Sequence, residues 1–310
     1  MADDPIIPGA SPTPERLTIS TSRLDIEYFR WGNPAHRPIL LLHGWPDCAL
    51  TWGFVASALV ADGWCPITPS LRGFGGTRFK LPDIPRSGQL SALAQDAIDF
   101  LDALNIHAPL PVIGHDWGAR ATYILSCLWP ERVRAGIALS VGWGTNRADQ
   151  PISISQASRY WYHWFMHTRR GREMVATQRR GLTEFLWRQW SPRWRFEAAE
   201  FEATAVFFDN PDWSDVTLHS YTHRWAGAPG DPAYDALEAR LVSPERISVP
   251  TLMLHGDDDQ VSEPGSSENR DSLFSGPYHR ELIVGSGHFP QREHPQQVIA
   301  QVRRFLATHA

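Results

Sequence analysis

Apolar and polar positions alternate through residues 16–32, "RLTISTSRLDIEYFRWG", the period expected of two half-buried strands joined by a turn. The next apolar stretch, "RPILLLHG", does not alternate, and a short continuous run of this kind predicts a strand buried on both faces. Helical spacing follows in "WPDCALTWGFVASALVADGW", and "CPITPSLRG" returns to a strand. The same rhythm then repeats. Leu93, Ala97, Phe100, Leu101 and Leu104 share one helical face, "PLPVIGHD" is another buried strand, "ARATYILSCLWPERV" is helical up to Pro130, and "RAGIALSVGW" is a strand.

Strands that alternate with helices predict an α/β class chain with a mostly parallel sheet covered on both faces. The rhythm stops near Trp143. From Thr145 to Leu241 no run has comparable strand quality, and seven of the fourteen tryptophans fall there, at 161, 164, 187, 190, 194, 213 and 225. So many large apolar rings predict a helical lobe with its own interior, since a loop of this length has no use for them. The α/β rhythm resumes in "SVPTLMLHGDDD" and "HRELIVGSGHF" and closes on the amphipathic helix "QQVIAQVRRFLATH". The economical architecture is a core of residues 1–143 and 242–310 with a helical cap, 144–241, inserted between two parts of one sheet.

Composition narrows the partners. A net charge of −5 gives no basic field for nucleic acid. The arginines at 169, 170, 172, 179 and 180, interrupted by Glu173, are expected to form a solvated helix face. Cys48, Cys65 and Cys127 are too few for a disulfide framework and suit a reducing compartment. "MADDPIIPGASPTPERL" has neither a basic nor a long apolar segment of signal-peptide kind, and no apolar run approaches membrane-spanning length. A cytoplasmic protein that binds neither membrane nor nucleic acid is expected.

The candidate chemistry starts at "GHDWG", 114–118, where a strand gives way to a helix. Gly-x-Asp-x-Gly is the spacing of the nucleophile elbow of α/β-hydrolases, with aspartate in place of serine. The alternative is that Asp116 merely caps the following helix. Two further residues favour the elbow: acids stand just past the strand in "LMLHGDDDQV", and His288 stands just past the next in "VGSGHFPQRE". Nucleophile, acid and histidine then occur in the chain order of the α/β-hydrolase triad, each at a strand end.

With "HGWPD" at 43–47, "GHDWG", "GDDD" at 256–259, "GHFPQ" at 287–291, "YWYHWF" at 160–165 and "HSYTHRW" at 219–225, the sequence resembles the α/β-hydrolase-fold epoxide hydrolases from about residue 20 onward. The resemblance implies Asp116 as nucleophile, Asp259 in preference to Asp257 or Asp258 as the acid, and His288 as base. It further implies Trp45 and Trp117 as backbone oxyanion donors and Tyr162 and Tyr221 as cap hydroxyls, with Tyr160 and Tyr234 also available. One departure is Ser70, in a turn where many relatives carry an acid. His43, His115 and Cys48 adjoin the motifs and are expected to serve packing and turns.

The aspartate changes the chemistry. A free aspartate side chain, with an ordinary pKa near 3.9, is ionised at neutral pH and attacks without a base, which leaves the histidine to activate water against the resulting ester. Epoxide opening needs O–H donors for an alkoxide, as tyrosines provide, whereas displacement of a halide needs only weak N–H donors. The expected activity is hydrolysis of a small apolar epoxide to a vicinal diol without metal or organic cofactor. Haloalkane dehalogenase is the alternative, although Trp45 replaces the asparagine common there. Fluoroacetate dehalogenases resemble the chain at Arg120, His163 and Trp164, but Trp117 stands where they need a second arginine. A ligand-binding homologue without catalysis would have no use for the triad.

Overall fold

The computed structural model describes residues 12–145 and 151–310. The alternating segment is an antiparallel hairpin of β1 (Glu15–Ser20) and β2 (Leu24–Arg30). The sheet continues with β3 (Arg37–Leu42), β4 (Trp64–Pro69), the two-residue β5 (Arg78–Phe79), β6 (Leu110–His115), β7 (Val133–Leu139), β8 (Thr251–Gly256) and β9 (Tyr278–Ile283). Strand order is β1-β2-β4-β3-β6-β7-β8-β9 with β5 beside β2. Neighbours from β4 to β9 pair in parallel, while β1, β2 and β5 form an antiparallel margin.

Burial on both faces explains the lack of alternation in the central strands. Ile39 and Leu41 of β3 pack with helices Gly53–Ala61 and Pro295–His309, whereas Leu40 and Leu42 face helices Leu90–Ala103 and Trp117–Leu128. β4, β6 and β8 are buried along their whole length. Between β7 and β8 the described residues contain seven α-helices, from Ile154 to Val242, and no strand. Residues 146–150, at the predicted start of the helical lobe, and most of "MADDPIIPGASPTPERL" lie outside the described residues.

Two local expectations need correction, and one short strand was not anticipated. The helix predicted from Trp45 onward begins only at Gly53, after a 3-10 turn over Ala49–Trp52. Pro46 disfavours helical backbone at Trp45, and the Asp47 carboxylate holds a separate turn by accepting from Cys48 N (2.8 Å) and Thr51 Oγ1 (2.6 Å). β5 is too short to leave a periodic signal. Of the arginine cluster, Arg169, Arg170 and Arg172 are exposed. Arg179 instead donates to Phe208 O (2.7 Å), and Arg180 pairs with Glu202 and Asp209 (2.6 Å each), because their helix runs beside the chain at 202–210.

Candidate active site

Asp116 lies at the carboxyl end of β6, with φ +49° and ψ −110°, backbone that an L residue adopts only when its surroundings enforce it. The enforcement is close packing of helix Trp117–Leu128 on the sheet. A Cβ on Gly114 would lie 2.1 Å from Gly118 O, and one on Gly118 would lie 2.1 Å from Leu42 O. The Asp116 side chain makes no capping hydrogen bond to the helix; its Oδ1 accepts from Trp45 N (3.0 Å). The geometry therefore favours the elbow over the helix cap. Trp117 heads the helix, where the first N–H groups have no acceptor within it.

His288 is fully buried in the turn after β9. Its Nδ1 is 2.8 Å from Asp259 Oδ2, and because an ionised carboxylate only accepts, Nδ1 carries a proton, so that in the neutral ring Nε2 is the atom with the lone pair. Nε2 has no hydrogen-bond partner among the described residues and lies 3.8 Å from Asp116 Oδ2. The backbone at His288 is fixed from three sides: its carbonyl accepts from His115 Nε2 (2.7 Å) and Ser140 Oγ (2.8 Å), and its N–H donates to Ser191 Oγ (2.8 Å). Burial by itself would lower the His288 pKa, but the charge and hydrogen bond of Asp259, aided by the Asp116 charge, leave it raised.

Only one of the three acids after β8 reaches this histidine. Asp259 is buried, and its Oδ1 accepts from the N–H groups of Val261 (2.7 Å) and Ser262 (3.0 Å). Burial opposes its ionisation, yet His288 and His255 hold its carboxyl well below the usual range. Asp257 is exposed and accepts from Gly285 N, while Asp258 pairs with Arg193.

Tyr162 and Tyr221 come from separate helices, Trp161–Met166 and Trp213–His223, and meet over Trp45. The Tyr162 ring stacks on Trp45 at 5.8 Å, the Tyr221 ring meets Trp45 edge-on at 5.0 Å, and the two tyrosine rings are 5.3 Å apart. Burial pushes both hydroxyls well above the ordinary tyrosine pKa and the Asp116 charge adds to the shift, so both stay protonated donors. Tyr160 stacks on His163 at 4.4 Å. Tyr234 is committed elsewhere, its hydroxyl bound to Arg72 (2.7 Å).

The residues beside the motifs have structural partners. His43 accepts from Leu71 N at Nε2 (3.0 Å) and donates to Gly44 O (2.9 Å), and burial lowers its pKa to about 4. Burial lowers His115 to about 4 as well and pushes the Cys48 thiol up to about 12. At Ser70 an acid is supplied from the neighbouring strand: Glu27 accepts from Ser70 Oγ and Gly76 N, 2.8 Å each.

Two residues near His288 escape sequence reasoning. Glu293 accepts from Gly287 N (2.8 Å), Phe289 N (2.9 Å) and Ser191 Oγ (2.7 Å), and so folds the turn that carries His288. An acid five positions after the histidine within one short motif was the available signal for Glu293. Ser191 had none, being almost a hundred residues away in a different part of the chain.

The family model for the α/β hydrolase fold matches residues 37–295. Epoxide hydrolase A of Mycobacterium tuberculosis is 26% identical over 94% of this chain and 97% of its own length. Epoxide hydrolase 3 of Siraitia grosvenorii is 25% identical over 94% and 98%. Among solved structures, a candidate epoxide hydrolase from Klebsiella pneumoniae aligns with a TM-score of 0.87 at 33% identity, covering 94% of this chain and 97% of that one. With the sheet order, the elbow and this coverage together, the chain belongs to the α/β-hydrolase-fold family and, within it, to the epoxide hydrolases.

Proposed function

We propose that the chain hydrolyses a small epoxide to a vicinal diol through an alkyl ester of Asp116, with the helical segment 144–241 covering the site as a cap. The observation that carries this reading is the setting of the Asp116 carboxylate: Oδ1 is held by Trp45 N–H, Oδ2 lies 3.8 Å from His288 Nε2, and two protonated tyrosines adjoin. Oδ2 attacks an epoxide carbon, the C–O bond breaks, and the departing oxygen takes a proton from Tyr162 or Tyr221. Esterification removes the Asp116 charge. Since that charge raises both tyrosines and His288, the phenols become stronger acids as the alkoxide forms, and His288 favours its neutral form when a base is needed.

In the second half-reaction His288 Nε2 takes a proton from water, whose oxygen adds to the ester carbonyl carbon. Negative charge collects on Oδ1, where Trp45 N–H and Trp117 N–H stabilise it. Collapse of this intermediate expels the diol. The two protons of the water return to the diol oxygen and, by way of His288, to the tyrosine. No step calls for a metal or an organic cofactor, the aromatic walls suit an apolar substrate body, and three buried free thiols suit a reducing cytoplasm.

A single turnover with excess enzyme in oxygen-18 water tests the nucleophile. The first diol should carry ordinary oxygen from the Asp116 carboxylate; full labelling of that diol would mean direct attack by water and would refute the covalent mechanism. In parallel, His288→Gln should accumulate an adduct heavier by the whole epoxide mass. A gain equal to an alkyl halide minus hydrogen halide, with no reaction on epoxides, would identify a dehalogenase instead, and absence of any adduct or turnover would indicate a binding protein.

A further inference from the structure

Arg292 stands four residues after His288 on the short helix Pro290–Glu293, with a side chain 9% exposed, and reaches three separate parts of the chain. Its Nη2 and Nε donate to the two oxygens of Asp47 (2.6 and 3.2 Å), a fully buried carboxylate two residues after Trp45. Nε also donates to Thr51 Oγ1 (2.9 Å). Nη1 donates to Glu200 (3.2 Å) and Nη2 to Thr204 Oγ1 (3.0 Å), both on helix Ala198–Ala205 of the inserted segment. Its guanidinium lies 5.0 Å from the ring of Trp187, whose own N–H donates to Pro46 O (2.8 Å). The two residues that follow Trp45 are thus gripped from the His288 turn and from the inserted helices together.

We propose that Arg292 is a positioning residue that sets the Trp45 N–H against Asp116 Oδ1 and in register with His288, and that its effect falls mainly on hydrolysis of the ester. The inference rests on the covalent mechanism proposed above. The step preference follows from charge. During alkylation Oδ1 loses negative charge, so its hydrogen bond from Trp45 weakens along that step. During water attack Oδ1 gains a full charge, and the same donor must be in place when it does. A displaced Trp45 N–H therefore costs little in the first half-reaction and much in the second. Arginine is required because both carboxylate oxygens, Thr51, Glu200 and Thr204 are met by a planar fork, which a lysine ammonium cannot reproduce.

The test measures each half-reaction of Arg292→Lys with a simple aryl epoxide in single turnover, following the alkyl-enzyme by intact mass. Alkylation should stay within about threefold of wild type while hydrolysis slows about 10- to 100-fold, so that alkyl-enzyme accumulates. The pH midpoint of hydrolysis should not move, because His288 keeps Asp259. Equal slowing of both half-reactions, or a loss accounted for entirely by a smaller folded fraction, would overturn the inference. A second variant, Glu200→Gln with Thr204→Val, leaves the Asp47 pair and the Trp187 contact in place and weakens the polar link to helix Ala198–Ala205. It should raise the steady-state alkyl-enzyme level severalfold, and an unchanged level would refute the link. If wild type forms no alkyl-enzyme, the covalent mechanism itself falls; alkyl-enzyme in wild type with unsplit rates in Arg292→Lys removes only the role of Arg292.

Discussion

Replacing Tyr162 and Tyr221 by phenylalanine, singly and together, probes the step that sets epoxide opening apart from halide displacement. Both rings are nearly inaccessible, at 3% and 1% exposure, and pack on Trp45, so phenylalanine keeps the packing and deletes one oxygen at each position. Losing a buried hydroxyl's hydrogen bonding costs about 1 kcal/mol of stability, small against the roughly 5–15 kcal/mol of a typical fold. The kinetic cost is larger. A preorganised donor to a developing oxyanion in a dry site contributes about 2 to 4 kcal/mol, or about 10² to 10³ in rate. Each single variant retains one phenol and should alkylate slowly but measurably; the double variant should barely alkylate. Intact-mass time courses in a His288→Gln background isolate this step from ester hydrolysis. A folded double variant that still opens epoxides at near wild-type rate would refute the role of the tyrosines, and halide release by that variant would favour the dehalogenase reading.

Two pH effects follow from the buried histidines. In the proposed mechanism His288 must be neutral to activate water, so hydrolysis of the ester should increase as pH rises through its pKa; the midpoint should lie lower in the alkyl-enzyme than in free enzyme, because the raising charge of Asp116 is gone. Stopped single-turnover profiles measure it, and coincident midpoints would show that Asp116 does not act on His288. His43 and His115, held near 4 by burial, are neutral in the fold but take up protons near 6.5 when unfolded. Their contribution to stability is therefore complete above pH 6.5 and is lost between 6.5 and 4, at about 1.4 kcal/mol per pH unit for each. Urea unfolding at pH 7, 6 and 5 should show this decline, and constant stability across that range would contradict neutral burial of both.

The α/β rhythm, the elbow at Asp116 and the strand-end places of Asp259 and His288 were legible in the sequence because each depends on neighbours within a few positions. Burial on both faces removes polar residues from a strand, a turn packed against a helix excludes every side chain but hydrogen at Gly114 and Gly118, and a switch from period two to helical spacing marks each strand end. Motif likeness pointed to Asp259 among three adjacent acids; the geometric reason is that backbone N–H groups of Val261 and Ser262 turn that one carboxylate toward His288. Local pattern was silent where function depends on contacts between distant segments. Nothing near Tyr234 shows that Arg72 withdraws it from the site, and nothing near Ser191 or Arg292 shows that one holds the His288 N–H and the other the Trp45 turn. Such contacts have no period and no fixed spacing, since they arise only when the sheet and the inserted helices pack together; the sequence by itself determined which reactive side chains stand at the strand ends, and the tertiary structure decided which of them face one another.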